Sequence, residues 1–155
     1  MGITTRFYGE VVRDISSFGG FAFSAIMSVI FIFMGLISQN NEVWLFFVFG
    51  HVALIAIVFL VRLVYFKNRP EKMQHKGVLE KIEASSFPSL HAARGMFCAL
   101  TIGSLIGGQF VYVLFGLLGG LVGVARVLLR RHDVVDVIFG ALLGIGVYIG
   151  MLMLV

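Results

Sequence analysis

Residues 43–66 read VWLFFVFGHVALIAIVFLVRLVYF, and among these twenty-four positions only His51 and Arg62 carry strongly polar ionisable groups. A helix of that length rises about 36 Å, enough to cross the roughly 30 Å of hydrocarbon in a bilayer. The rest of the chain agrees. Hydrophobic residues fill 59% of the 155 positions and charged residues 13%, which would leave a water-soluble domain exposing far too much apolar surface. Working outward, the segments 19–38, 90–106, 111–129 and 134–155 are also apolar and at or near the spanning length. The expected fold is an all-α membrane protein, one domain over residues 1–155, with five transmembrane helices joined by short polar connections.

The first eighteen residues differ. Ile3, Phe7, Val11, Ile15 and Phe18 alternate with Arg6, Glu10, Arg13 and Asp14, the spacing of an amphipathic helix lying in the membrane surface. No basic segment followed by an apolar core and a cleavage site can be read there, so this interfacial helix is expected to stay in the mature protein. The lone Cys98 sits in an apolar helix, where packing is its expected job.

The net charge of +4 has to be placed before it means anything. If the five spans alternate, Arg6, Arg13, Arg62, the basic residues from Lys67 to Lys81, Arg94 and Arg126 to Arg131 gather at one membrane face. The 39–42 and 107–110 turns carry none. That asymmetry argues for a membrane protein with its basic face in the cytoplasm, not for a nucleic-acid binder.

The only extended polar stretch, 67–87, separates the first two spans from the last three. Pro70 should end the second helix at Arg69, and Ser85, Ser86, Pro88 and Ser89 carry the start signals of the third. Glycine pairs one turn apart (Gly103/Gly107, Gly116/Gly120, Gly119/Gly123, Gly140/Gly144, Gly146/Gly150) should let helix backbones approach closely, within one chain or across a homodimer.

Chemistry-bearing residues collect at the basic face. Arg62 and Arg69 are seven apart, close to two helical turns, and could grip one anion; alone, they also read as a snorkelling side chain and a topology signal. Ser89, Leu90 and His91 place a hydroxyl and free backbone N–H groups at a helix N-terminus, which is either an anion site or a plain serine cap. Arg94, one turn on, needs a carboxylate, a carbonyl or a wet cavity. His132 and Asp136 stand four apart: the carboxylate could hold one imidazole nitrogen and leave the other as a nucleophile, or the pair could simply cap a helix. His51 has a neighbouring carbonyl as its plain partner. Paired arginines, a serine at a helix start and two histidines, one with an aspartate, together make a phosphoryl-transfer kit. With no metal-ligand motif in the sequence, a reaction without metal or other cofactor is the economical reading.

In order, Arg62 through Arg69-Pro70, Pro88-Ser89-Leu90-His91, and Ala125-Arg126 with His132 and Asp136 resemble the three motifs of the type-2 phosphatidic acid phosphatase superfamily of integral-membrane lipid phosphatases, which shares its site with vanadium haloperoxidases. The wording around Ser86 to Ala92 and Arg130 to Val137 is most similar to the polyisoprenoid diphosphate phosphatase branch. The resemblance implies that His132 forms a phosphohistidine, Asp136 orients it, and His91 protonates the leaving oxygen and then activates water, giving a bell-shaped pH profile. It further implies that Arg62, Arg69, Arg126, Ser89 and the N–H groups at Leu90 and His91 bind the phosphate of a lipid that reaches the site from the bilayer. Two positions depart from the pattern: Leu90 stands for glycine and Ala125 for serine. They keep open a silent scaffold of the same fold, and a lipid phosphotransferase would use the same residues up to the phosphohistidine.

Overall fold

The computed structural model describes residues 3–71 and 77–154, with side chains from Phe7 onward. Lys72, Lys76 and the side chain of Arg6, all part of the expected basic face, lie outside the described residues. All regular structure among the described residues is helical: α1 Ile3–Ser17, α2 Phe21–Ser38, α3 Asn41–Val64, α4 Val78–Ala84, α5 Leu90–Ile106, α6 Gln109–Leu128 and α7 Val134–Leu154. By length and composition α2, α3, α6 and α7 can each cross a membrane, and α5 is a shorter apolar helix.

The short helix is the central one. α5 packs chiefly on α6 and α7 and also on α3, while α2 leans on α3 and α1 on α6. Ten α5 residues are buried, among them Arg94, Phe97, Cys98 and Thr101. Lipid tails are as apolar as a leucine side chain, so close packing rather than water exclusion holds such a bundle together. Side chains added at Gly140 and Gly144 would run into the carbonyls of Ser89 and Ala93, so this glycine pair is what lets α7 lie against α5. Gly119 and Gly123 do the same for α6 against α5 and α7, whereas Gly120, Gly146 and Gly150 face open space.

Below the polar end, an aromatic core fills the bundle. Phe31 stacks on Phe47 at 4.2 Å and Phe46 on Phe97 at 5.9 Å, with Phe97 seated on Gly50. His51 is absorbed here. Its Nδ1–H donates to the Phe47 carbonyl at 3.0 Å, which leaves Nε2 to accept from the Cys98 thiol at 3.5 Å. Buried Arg94 has an aromatic partner: its guanidinium lies over the Phe21 ring, 5.9 Å from the centroid.

The chain departs from its sequence-based outline in two places. α3 stops at Val64, five residues before Arg69, and Tyr65 leaves it extended with φ −125°. The backbone of the following segment finds other partners: Ser86 N–H donates to the Lys67 carbonyl at 2.8 Å, Lys67 N–H to Ser85 Oγ at 3.3 Å, and Ser86 Oγ to the Asn68 carbonyl at 3.2 Å. Arg62 and Arg69 therefore do not share a helical stripe. The polar stretch also contains α4, which buries Ile82 and Ala84; the apolar spacing of Val78, Leu79 and Ile82 was its signal.

Candidate active site

Each polar segment is tied to the others at one end of the bundle. Arg62, on the last turn of α3, donates from Nη1 to the Ile82 carbonyl at 3.3 Å and from Nη2 to the Pro88 carbonyl at 2.9 Å. Arg69 donates to the Glu83 carbonyl at 2.6 Å. Ser89, wholly buried, caps α5 by accepting from Ala92 N–H at 3.4 Å, and its own N–H donates to the Asp136 carbonyl at 2.9 Å. Arg126, near the end of α6, donates to Ser16 Oγ of α1 at 3.1 Å.

His132 lies in the turn before α7, not on the helix with Asp136. Its Nδ1 is 3.7 Å from Asp136 Oδ2, an ion-pair spacing too long for the hydrogen bond that the four-residue interval suggested. The carboxylate is otherwise engaged. Oδ1 accepts from Lys67 Nζ at 2.6 Å, and Oδ2 accepts from Asp133 N–H at 3.0 Å, the reach-back of a capping box at the start of α7. The capping role and a place beside His132 thus coexist in one side chain. Lys67, which the sequence presented only as a topology signal, also meets Asp133 at 3.1 Å. Its two carboxylate partners raise its pKa against the opposing effect of burial.

The electrostatics favour an anion. Among the described residues, the Nε atoms of Arg62, Arg69, Arg94 and Arg126 and Nδ1 of His132 are buried without a hydrogen-bond partner. Burial first, and Arg131 second, lower the Arg69 pKa. Burial, then the charges of Arg126 and Arg69, push the His132 imidazole down to about 3, with Asp136 opposing. The ring is neutral at physiological pH, the state a nitrogen nucleophile needs.

A pH dependence of stability follows. Between about pH 6.5 and about pH 3 the unfolded chain protonates this histidine and the folded protein resists. Stability is therefore undiminished above 6.5 and falls as the pH drops, by up to about 1.4 kcal/mol per pH unit. Melting in detergent from pH 7 to 4 should show a shallower decline for His132→Gln than for the natural chain; parallel curves would count against a buried neutral imidazole.

The three polar motifs, which lie at the end of α3, the start of α5 and the junction of α6 with α7, thus share one end of the helical bundle. A sequence model of the PAP2 superfamily matches residues 43–155. The chain belongs to the PAP2 superfamily. Its match covers α3 to α7, so α1 and α2 precede the family region, and Ser16 reaches Arg126 of the PAP2 region from outside it. No solved structure matches the chain. Membership gives it the lipid-phosphatase fold, places it generally among phosphoric ester hydrolases, and with its apolar helices makes it an integral membrane protein.

The two departures from the motif pattern can be placed within this PAP2 fold. Leu90 is the first residue of α5, lies outside the positive-φ positions, and packs its side chain against the core. The backbone here makes no demand that only glycine could meet. Ala125 is buried one residue before Arg126.

Proposed function

We propose that this protein removes phosphate from a membrane lipid, a polyprenyl diphosphate or a related lipid phosphate, through a phosphohistidine on His132 and without a metal ion. The observation that carries this reading is a buried, neutral imidazole beside a buried carboxylate, with the charges of Arg126, Arg69 and Arg62 all acting on it.

Nδ1 of His132 faces Asp136, so Nε2 is the attacking atom. As the His132–phosphorus bond forms, the bond to the leaving oxygen breaks, releasing a lipid alcohol from a monophosphate or a lipid monophosphate from a diphosphate, and charge grows on the phosphoryl oxygens. Arg62, Arg69, Arg126 and the N–H groups of the first α5 turn are there to offset it. His91 gives its proton to the leaving oxygen. It then takes one from the water that attacks the phosphohistidine, releasing inorganic phosphate and restoring His132. Asp136, already ionised against Lys67, stabilises the positive ring of the intermediate. The placement of Leu90 in an ordinary helical turn favours a working enzyme over a silent scaffold.

Phosphate release by purified protein in detergent with a chelator present tests the reading. Hydrolysis of polyprenyl diphosphate or phosphatidate that His132→Gln abolishes is expected, and silence on every lipid phosphate with folding confirmed would overturn it. The site should face the cytoplasm, because Lys67, Arg69, Lys81, Arg130 and Arg131 flank it. With Cys98 replaced by serine, a cysteine at Asn41 should react with an impermeant thiol reagent in intact cells and one at Lys81 should not. The reverse pattern would invert the orientation.

A further inference from the structure

Behind the site lies an apolar cavity of about 220 Å³. Two helical stripes line it. On α5 these are Gly95, Cys98, Ala99 and Ile102; on α6 they are Val122, Gly119, Leu118 and Phe115. Both stripes begin at the site, since Gly95 is one turn beyond His91 and Val122 is one turn deeper than Arg126. The roof is the corner between α1 and α2. Ile15 and Phe18 line the cavity beside Ser16, which holds Arg126, and Gly19 packs directly on the His91 carbonyl. Phe23 of α2, edge-on to Phe18 at 5.1 Å, forms the far wall.

The chemistry says what should lie there. In an in-line displacement the leaving oxygen departs opposite His132 and takes its proton from His91, so whatever is bonded to that oxygen extends on the His91 side. The cavity adjoins that side. From Gly95 to Ile102 α5 rises about 10 Å; an apolar cavity of about 150 Å³ holds one benzene molecule, so this one, at about 220 Å³, has room along that depth for one hydrocarbon chain and not for two. Gly95 and Gly119 bring α5 and α6 into direct contact, with Val122 on Gly95 and Ala99 on Gly119, and so close the floor of the cavity. Leu118 and Leu121, both on the cavity wall and both exposed, form its edge toward the bilayer.

We propose that this cavity receives the apolar tail of a single-chain lipid phosphate, which slides in from the bilayer past Leu118 and Leu121 under the α1–α2 corner. The assignment rests on the phosphatase reading of the adjoining site, and its test separates the two. Leu118→Trp should narrow the slot and lower kcat/KM for farnesyl phosphate about tenfold or more, leaving the soluble phenyl phosphate unchanged. Phe23→Ala should widen it and improve two-chained phosphatidate relative to farnesyl phosphate. If both variants alter farnesyl and phenyl phosphate in the same proportion, the tail does not lie here. Independently of turnover, a non-hydrolysable alkyl phosphonate with a diazirine in its chain should label residues 95–102 and 115–122, and unlabelled phosphonate should compete. Labelling elsewhere overturns the proposal. Labelling here without competition also overturns it, by making the cavity a seat for bulk membrane lipid. Absence of hydrolysis from the natural chain, with competed labelling in place, would sink the phosphatase reading and leave the tail site standing.

Discussion

Replacing His132 with glutamine is expected to lower phosphate release about ten-thousandfold or more, the scale on which enzymes lose a covalent nucleophile. Glutamine keeps comparable bulk and polarity but has no nitrogen able to carry the phosphoryl group. The substitution should be well tolerated by the fold, because His132 Nδ1 makes no hydrogen bond among the described residues and the ring contributes no helix residue. Loss of activity at unchanged melting temperature is therefore the expected pairing. Activity within tenfold of the natural chain would remove His132 from the chemistry altogether.

The second large effect belongs to Asp136. Its carboxylate is fully buried and holds Lys67 at 2.6 Å and Asp133 N–H at 3.0 Å while facing the His132 ring. Asp136→Asn removes the charge that favours the phosphorylated imidazole, and kcat should fall about ten-thousandfold, the scale of loss when a catalytic histidine base loses its orienting carboxylate. Phosphate affinity should change far less, since the arginines remain. Stability should fall by about 1–3 kcal/mol, because Lys67 loses its nearer partner. The loss stays below that of a fully buried pair, since Lys67 is partly exposed and keeps Asp133. In a double-mutant cycle Lys67→Met should cost less in the Asp136→Asn background than alone, with a coupling of about 0.5–3 kcal/mol. Additive effects, or an Asp136→Asn enzyme of near-normal kcat, would show that the carboxylate only caps α7.

The bundle was legible in the sequence because membrane spans are written in composition: α2, α3, α6 and α7 fall within a few residues of their expected limits. The end of α3 was not. Pro70 gives an outer bound, but the actual stop at Val64 depends on Lys67 and Asn68 finding partners in Ser85 and Ser86, eighteen residues on. Periodicity carries no such information. The spacing of Arg62 and Arg69 consequently suggested a shared helical stripe, whereas each is held by carbonyls of the 82–88 segment. The residues of the three motifs could be named from their order, yet the two helpers were hidden. Lys67 looked like one more positive charge at a membrane edge, and Ser16 belongs to a helix whose own pattern pointed only to the bilayer surface. Both act across more than sixty residues of chain, and only tertiary packing reveals them.

The most direct test of the central claim is rapid acid-free quenching of the purified protein during turnover of a lipid diphosphate labelled with ³²P in its terminal phosphate. The account predicts transient label on the protein, stable to base, lost in acid and mapped to His132. It also predicts faster loss of that label in the natural chain than in His91→Gln. Steady hydrolysis with no protein-bound phosphate at any time would contradict a covalent intermediate and leave direct attack by water as the reaction, and label that persists in His132→Gln would move the nucleophile to another residue.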